Sequence, residues 1–374
     1  MTAIPRIFSA VFLVLISLLP VRAEIRTLEK LRVAQASRIV QLPDLENPTG
    51  IRVADGRIFI IEESSISVYS AENFRLMKKF ERRGEGPGEF KYPPFLIPQA
   101  GRLLILNFDR YFLYSLEGEL LEEKKMPLNY NYWFFPLLPV GDNYIGFPLE
   151  PIEGMGFGHI GLLYNQEFQR IKKVYDAFPS LVPPPPPPPR PGETSRSFSK
   201  QDLEAIPDCI DVSVAGDKFF VADTRKGFYI SVFDAQGNTL YDINRDFKKI
   251  RVSKDRREAY MKELREQPNW KNLNSRYNYV FKDIFPAFFS FKISGQNIYC
   301  LTYAKKNNCY EIVVLDFEGK LEGRSYSFPL EPFQRLNETF LLYSNEFDIH
   351  SDKIFHLEYN YDLESIELHI TDIK

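Results

Sequence analysis

The chain has 374 residues, of which 44% are hydrophobic and 26% are charged. This composition is ordinary for a folded globular protein and excludes a largely disordered chain. Lysine and arginine total 47 against 50 aspartate and glutamate residues, which leaves a net charge of −3. The chain therefore lacks the basic excess of a nucleic-acid-binding domain. Aromatic residues reach 15%, which favours large packed interfaces between β-sheets.

Residues 1–23 have the pattern of an export signal. Arg6 precedes the apolar run 7–19, and the tripeptide that ends at Ala23 fits the small-x-small cleavage pattern. The run is shorter than the ~20 apolar residues that cross a bilayer, although an uncleaved anchor is the alternative. We expect cleavage after Ala23, a periplasmic or secreted protein, and no membrane span in the mature chain.

The three cysteines form an odd set, which does not fit a complete disulfide framework. A turn predicted at 305–308 places Cys300 opposite Ile312 or Val313 rather than opposite Cys309. A bridge between Cys300 and Cys309 is the alternative, but we expect Cys209, Cys300 and Cys309 to be buried small apolar residues.

Short runs of β-branched and aromatic residues, separated by polar turns, repeat six times along the chain. The copies span 50–80, 95–125, 134–175, 210–243, 288–326 and 342–373. Each of the first five offers four strands, whereas the sixth offers three. The segment 33–42 has no partner in the first copy and can supply the missing strand. The pattern predicts an all-β fold, a six-bladed β-propeller over 24–374 closed by an N-terminal strand.

The link between the first two copies, 82–93, is rich in glycine. It resembles the loop between blades in bacterial six-bladed propellers of the NHL-like and TolB-like kind, through Gly84, Gly86, Pro87, Gly88, Glu89, Phe90 and Pro93. The resemblance implies the propeller fold. It does not imply one activity, because members of such families bind varied partners or have no assigned role.

A phosphate-binding role for this glycine-rich loop is disfavoured. Pro93 and Pro94 follow it where a phosphate loop needs a helix N-terminus, and Glu85 and Glu89 would repel phosphate. We expect the glycines to permit left-handed turns. Phe90 should wedge between neighbouring blades, and Pro93 should start the next inner strand.

Two links between copies are much longer than the others, at about 176–208 and 245–286. The first contains the seven prolines 183–189, which predict a polyproline II rod. A stiff spacer is the favoured interpretation, and a docking motif for an aromatic groove is the alternative. A shorter helical turn is predicted after Ser199, ending at Pro207.

The second long link predicts the main helix of the protein over 254–267. Ser253 is suited to its N-cap, and Pro268 ends it. Both long links leave an outer strand and return to the next inner strand, so a propeller brings them out on one face, around the mouth of the central channel. We interpret this as a capped binding face. Lineage-specific padding without a ligand is the alternative.

Metal and catalytic motifs are scarce in this sequence. The histidines have no HxxxH or HExxH spacing, and no aspartate-rich calcium loop is present. We therefore predict no metal site and no cofactor. No G-x-S-x-G motif occurs, which excludes a serine hydrolase of the α/β kind. The histidines are His159, His350, His356 and His369.

Polar residues at the starts of inner strands are the remaining candidate binding residues, with two aromatic residues that could form a rim. Acids grouped around a channel repel one another unless they bind a cation or a basic partner. This motivates the hypothesis that the mouth binds a cationic group or peptide, the alternative being that each acid is paired locally or solvated. The candidates are Arg52, Tyr92, Trp133, Asp208, Asp211, Glu346 and Asp348.

The favoured function is an exported, non-catalytic, monomeric scaffold that binds a protein, a peptide or a glycan of the envelope or extracellular space on its capped face. A propeller presents a rigid ring of loops, which suits recognition. One alternative is a lyase or hydrolase, which needs Asp208, Asp211 and Glu346 to converge. Another is a structural envelope component that, like TolB-like propellers, docks to other envelope proteins.

Overall fold

A computed structural model describes residues 38–90, 94–99, 101–107, 110–126, 137–153, 156–179, 200–266, 270–330 and 347–373. Over these residues the chain forms six antiparallel sheets that follow one another in sequence. Each sheet is one blade of a six-bladed β-propeller, and strand A of a blade is its innermost strand and strand D its outermost. The fold class predicted from the repeats is therefore confirmed.

The first strand of the chain, β1 (Arg38–Leu42), precedes the blades. The strands of blade one are β2 (Gly50–Ala54), β3 (Arg57–Glu62), β4 (Ser65–Ser70) and β5 (Leu76–Glu81). Those of blade two are β6 (Phe95–Gln99), β7 (Arg102–Asn107), β8 (Arg110–Ser115) and β9 (Leu120–Lys125). Those of blade three are β10 (Leu138–Val140), β11 (Asn143–Gly146) with its continuation β12 (Leu149–Ile152), β13 (Gly156–Tyr164) and β14 (Arg170–Pro179).

A short strand, β15 (Gln201–Glu204), comes before blade four. The strands of blade four are β16 (Ile210–Ala215), β17 (Lys218–Asp223), β18 (Phe228–Asp234) and β19 (Thr239–Arg245), with a 3₁₀ turn at Thr224–Lys226. The next elements are the helices α1 (Lys254–Glu266) and α2 (Trp270–Arg276) and the strand β20 (Tyr277–Val280). Blade five contains β21 (Ser290–Ser294), β22 (Asn297–Lys306), β23 (Cys309–Asp316) and β24 (Leu321–Phe328), and blade six contains β25 (Phe347–His350), β26 (Lys353–Asn360) and β27 (Ser365–Asp372).

The N-terminal strand completes blade six. β1 pairs antiparallel with β27, from Arg38 opposite Ile370 to Leu42 opposite Ile366. Leu42 is buried with Ile366 and Leu368 in the apolar layer between blades six and one. The ring is thus closed, as predicted, by a strand from the segment 33–42, which had no partner in the first repeat.

Apolar layers fill the space between successive blades all the way round the ring. Separate layers join blades one and two, blades two to four, blades four and five, blades five and six, and blades six and one. Strand residues alternate between the two faces of a sheet, so each blade contributes side chains to both neighbours. This arrangement explains the high aromatic content, since Phe59, Phe112, Phe219 and Phe288 are among the fully buried side chains.

The cysteines agree with the expectation from the turn at 305–308. Asn307 and Asn308 both have positive φ, 50° and 62°, which is the geometry of a type I′ hairpin turn. The hairpin pairs Cys300 with Val313 rather than with Cys309. All three thiols are free and buried, and burial raises the pKa of the Cys300 thiol above its usual range.

The two insertions pair with each other. β15 from the first insertion and β20 from the second form a parallel two-stranded sheet, with Gln201 opposite Tyr277. The helical turn predicted after Ser199 was therefore wrong, because pairing with a strand 76 residues away outweighs a weak local helix signal. The main helix is present as α1, and the Arg256 N–H donates to Ser253 Oγ at 3.2 Å, as expected of an N-cap.

The strand order decides which face carries the insertions. Within an antiparallel blade, the B–C turn and the link from strand D to the next strand A leave the sheet on the same side. Both insertions are links of this kind, from β14 to β16 and from β19 to β21. They therefore emerge on one side of the ring. The polyproline segment 183–189 lies outside the described residues. No helix in the described part of the chain is long and apolar enough to cross a membrane.

Candidate functional site

Three of the sequence-predicted residues lie on inner strands. Arg52 is on β2 of blade one, Asp211 on β16 of blade four and Asp348 on β25 of blade six. Blades six and one are neighbours, and the Val53 N–H donates to Asp348 Oδ2 at 2.8 Å. Asp211 belongs to a different part of the ring. Of the other four predicted residues, Asp208 lies just before β16, and Tyr92, Trp133 and Glu346 lie outside the described residues.

The two inner-strand carboxylates accept hydrogen bonds from the backbone. Asp211 Oδ1 accepts from the Val212 N–H at 2.8 Å, and Asp348 Oδ1 accepts from the Ile349 N–H at 3.0 Å. An innermost strand has no neighbour on its channel side, so its N–H groups need such acceptors. The contacts support a local structural role for both acids.

Basic side chains occupy the same ring. The Arg52 guanidinium lies 5.5 Å from the centre of the Phe95 ring in the next blade. Lys292 on β21 of blade five lies 5.4 Å from the centre of the Phe347 ring in blade six. The sequence analysis did not identify this residue. Along the described inner strands, Arg52 and Lys292 thus offset Asp211 and Asp348. This arrangement lends no support to an acidic mouth that collects cations.

Asp208 joins the two insertions to blade four. Its Oδ2 lies 2.5 Å from Lys282 Nζ, and Lys282 also lies 2.8 Å from Glu204 Oε2. The Thr224 hydroxyl donates to Asp208 Oδ1 at 3.2 Å. Burial lowers the pKa of Lys282, but its hydrogen bonds to both carboxylates raise it further, so the net shift is upward. Asp208 is therefore part of an ion-pair network that holds the insertions in place.

The described parts of the two insertions, 200–209 and 246–289, form what we call the platform. It has its own apolar core, separate from the layers between blades. Tyr260 and Leu264 of α1 are buried in this core, and Phe285 stacks on Tyr303 of blade five with 4.3 Å between ring centres. The platform is therefore a built element that rests on blade five, with strand pairing, a core and ion pairs of its own.

A cleft lies where the platform leaves blade four and rejoins blade five. It is a small cleft that is partly open to solvent. Residues 246–248, 250 and 286–287, at the two ends of the second insertion, form one wall. Two aromatic and five charged side chains line it: Phe228, Phe247, Arg245, Asp246, Lys248, Glu311 and Arg324.

The charges of this cleft are mostly positive. Glu311 is buried and already engaged, because Arg324 lies 2.8 Å from its Oε1 and the Thr302 hydroxyl donates to its Oε2 at 2.8 Å. Arg245 donates to the Gly319 carbonyl, and Lys248 is exposed. Among the lining charges outside the Glu311–Arg324 pair, the half-buried Arg245 and the exposed Lys248 stand against Asp246. The cleft thus offers cationic and aromatic groups to a ligand that carries negative charge.

A buried charge network lies at the end of β17 in blade four. Asp223 is fully buried at the end of β17, and Arg225 and the Tyr175 hydroxyl both donate to its carboxylate. Burial alone would raise the pKa of Asp223, but the hydrogen bonds from Arg225 and Tyr175 hold it below its ordinary value. Sequence reasoning missed this network because Tyr175 is 48 residues away in the neighbouring blade.

The glycine-rich loop lies between blades one and two. Phe90 is fully buried there, with its ring centre 5.7 Å from that of Phe112. Gly84 and Gly88 have positive φ, 151° and 70°, whereas Gly86 and Pro87 do not. The Gly86 N–H donates to Glu89 Oε2 at 2.8 Å, so the loop binds its own carboxylate where a phosphate loop would bind phosphate. Pro93 lies outside the described residues.

The strand pairing of blade six brings together two of the four histidines. His356 and His369 face each other across β26 and β27, and Glu358 lies beside both. The sequence showed no ligand spacing because these residues are neighbours only once the strands pair. His159 is buried in blade three and His350 lies on β25.

Comparison with known protein families finds one match to part of the chain. The family described as a 6-bladed beta-propeller matches residues 44–177, which covers most of the first three blades. No curated protein matches the chain.

Three solved structures show similarity at low identity. A protein of unknown function from Bacteroides caccae is 10% identical, with 82% of this chain and 85% of that chain covered and a TM-score of 0.33. Kluyveromyces lactis Hsv2 is 9% identical, with 88% and 98% covered and a TM-score of 0.35. KlHsv2 with loop 6CD replaced by a Gly-Ser linker is 10% identical, with the same coverage and TM-score.

Proposed function

We propose that this protein is an exported, non-catalytic binding scaffold that recognises an acidic segment of an envelope or extracellular protein. The recognition surface is the platform and the cleft at its base. Export follows from the signal pattern of residues 1–23, with cleavage after Ala23. The likeness of 82–93 to NHL-like and TolB-like propellers is compatible with this role, including docking to another envelope protein.

The observation that carries the proposal is the platform itself. The blades complete their sheets without it, yet it has a parallel strand pair, an apolar core and the Asp208–Lys282–Glu204 network. Ordering a segment costs about 1–2 kcal/mol per residue in backbone entropy. A long insertion that only filled space would gain nothing from offsetting this cost and would not need to be ordered. Rigid loops on a rigid ring are the usual way in which a scaffold presents a binding surface.

The charge of the cleft selects the class of partner. Arg245, Lys248 and Arg324 outnumber Asp246 and Glu311, and Phe247 adds an aromatic surface. Carboxylate side chains of a partner would pair with the arginines and the lysine, and its apolar side chains would pack on the ring. We favour an acidic ligand over a cationic one, because Asp208, Asp211 and Asp348 all have partners inside the protein.

The proposal is tested by isolating the partner with matched charge variants. Lys248 and Lys249 are adjacent and both exposed, but only Lys248 lines the cleft. The wild type, K248E and K249E would each be tagged, incubated with envelope extract of the source organism, cross-linked mildly and analysed by mass spectrometry. We expect one dominant protein with the wild type and K249E, and at least about fivefold less with K248E, as loss of roughly 1 kcal/mol predicts.

Two deletions locate the contribution of the first insertion. Removing 183–198 keeps β15, whereas removing 183–206 also takes away β15 and the buried Ala205 and Ile206. Partner recovery should fall most with the longer deletion. Equal recovery with K248E and K249E would overturn the cleft as the binding surface. Recovery of a glycan and no protein would overturn the polypeptide ligand.

A further inference from the structure

Blade six carries four convergent side chains on one face of its outer strands. His356 on β26 is directly opposite His369 on β27, and Glu358 is directly opposite Glu367. Residues two apart on a strand share a face, so all four side chains lie on the same side. Ile354 shares that face and packs in the layer between blades five and six, so the cluster lies at this interface.

The distances bring atoms of His356, Glu358 and His369 close together, with Glu367 beside His369. His356 Nε2 lies 3.0 Å from Glu358 Oε1, and His369 Nε2 lies 3.7 Å from Glu358 Oε2. Glu367 Oε2 lies 3.1 Å from His369 Nε2. One nitrogen or oxygen atom from each of His356, Glu358 and His369 can be chosen so that all three lie within 4.8 Å of one another. This is the one group of its kind among the described residues.

The energetics of the cluster favour a cation. The side chains of His356 and His369 are 0% and 9% exposed, and that of Glu367 is 12% exposed. Like charges directly opposite each other on paired strands are destabilising, and burial strengthens their repulsion. When both imidazoles are neutral, as metal binding requires, the two carboxylates carry a charge that a divalent cation would neutralise.

We propose that His356, His369 and Glu358 bind a zinc ion, with Glu367 as the fourth ligand. Imidazole nitrogen and carboxylate oxygen are ligands that Zn²⁺ accepts in tetrahedral sites, at about 2.0–2.2 Å. Such bonds place neighbouring ligand atoms about 3.4 Å apart, which small side-chain rotations reach from the observed positions. Each Nε2 would bind the ion through its lone pair, so a proton on that nitrogen would move to Nδ1 or leave to solvent.

The surroundings hold the ligands in place. The Asn360 amide donates to Glu367 Oε1 at 2.8 Å, which leaves Oε2 directed at His369. Outer hydrogen bonds of this kind orient metal ligands. Glu358 is one third exposed, so an ion can reach the site from solvent. Because β1 pairs with β27, zinc would clamp the blade on which ring closure depends.

The test measures zinc binding by the full chain, carried on a tag that contains no histidine. After removal of metals with a chelator, equilibrium dialysis against Zn²⁺ with elemental analysis gives the stoichiometry, and thermal unfolding gives the effect on stability. We compare the wild type with H369Q and E358Q, which remove ligands, and with H350Q, which changes a histidine of the same blade outside the cluster. We expect about one Zn²⁺ per chain and a raised Tm for the wild type and H350Q.

The ligand variants should bind Zn²⁺ at least about tenfold more weakly, and their Tm should not respond to it. If H369Q does not fold, the E358Q variant tests the site. Glu358 is partly exposed, so its replacement should be tolerated, and the far-UV circular dichroism of the variant checks that it is folded. Binding of Co²⁺ by the wild type should give the strong visible absorption of a four-coordinate ion. No bound Zn²⁺ in the wild type, or equal binding by H350Q and E358Q, would overturn the site.

Discussion

His159 is a histidine whose behaviour is determined by burial. It is 1% exposed in blade three and stacks on Phe178, with 5.5 Å between ring centres. Burial lowers its pKa to about 4, although a hydrogen bond from Nδ1 to the Phe147 carbonyl opposes this effect. The imidazole is therefore neutral in the folded protein throughout the physiological range, and it does not fit acid catalysis at neutral pH.

Replacing His159 should flatten the pH dependence of stability. The unfolded chain protonates this histidine near pH 6.5, whereas the folded chain does so near pH 4. Between these values the unfolded state binds the extra proton, so stability is lost as pH falls, by about 2 kcal/mol between pH 6.5 and 5. The H159F substitution removes this pH-dependent contribution to the free energy of unfolding, while the other titrating groups stay the same in both proteins.

The measurement is the free energy of unfolding in urea at pH 7.0 and pH 5.0. H159F should cost about 1 kcal/mol at pH 7.0, because the Phe147 carbonyl loses its donor. Its loss on acidification should be smaller than that of the wild type. Parallel pH curves for the two proteins would show that His159 is not held neutral.

Among the elements of the fold, the glycine-rich loop shows why one position must be glycine. Gly88 has a φ of +70°, and a Cβ there would lie 2.9 Å from the Tyr114 hydroxyl oxygen. The same hydroxyl donates to the Gly88 carbonyl at 2.6 Å. Gly101 has nearly the same φ, +72°, but nothing lies within 4 Å of the corresponding Cβ. A comparison of substitutions at these two glycines therefore separates the cost of backbone strain from the cost of a steric contact.

Alanine at these two positions should have different effects. G101A should cost about 1 kcal/mol, since an L-residue pays this much for left-handed backbone geometry. G88A should cost about 2–4 kcal/mol, because the methyl group also displaces Tyr114 from its hydrogen bond. Urea unfolding of both variants measures the difference. Equal costs would mean that the loop shifts freely and does not fix the spacing of blades one and two.

For the whole molecule, closure of the ring by β1 is a feature on which stability depends. β1 contributes Leu42, which is 1% exposed, to the layer between blades six and one. It also covers the hydrogen-bonding edge of β27 along five residue pairs. An uncovered strand edge is a template for association with another chain. The N-terminal strand thus stabilises the closed ring and covers an edge that could otherwise pair with another chain.

A truncation tests this role directly. A chain that begins at Pro43 lacks β1, and a chain that begins at Arg38 keeps it and serves as the control. We expect the shorter chain to lose at least about 3 kcal/mol, from the burial of Leu42 and the lost strand hydrogen bonds. It should also form oligomers in size-exclusion chromatography. Identical urea midpoints and a monomeric profile for both chains would contradict closure by β1.

Sequence alone was sufficient for the architecture of this protein. Strand alternation and two-residue turns are local patterns, so six repeats and the unpaired segment 33–42 predicted six blades and their closure. The pairing of Cys300 with Val313 also followed from one local turn. Within the two insertions, helix α1 was predicted correctly, because its N-cap and its helical pattern are signals from residues that are close together in the sequence.

Only the tertiary structure decided which side chains meet. Asp208 and Lys282 are 74 residues apart, and β15 is a strand because β20 lies beside it. His356, Glu358, Glu367 and His369 converge through the register of β26 and β27, where a slip of one residue would turn half of them to the other face. Local propensity acts over a few residues, whereas sites are built from contacts between distant parts of the chain. For that reason the blades could be predicted from the sequence, and the platform, the cleft and the zinc ligands could not.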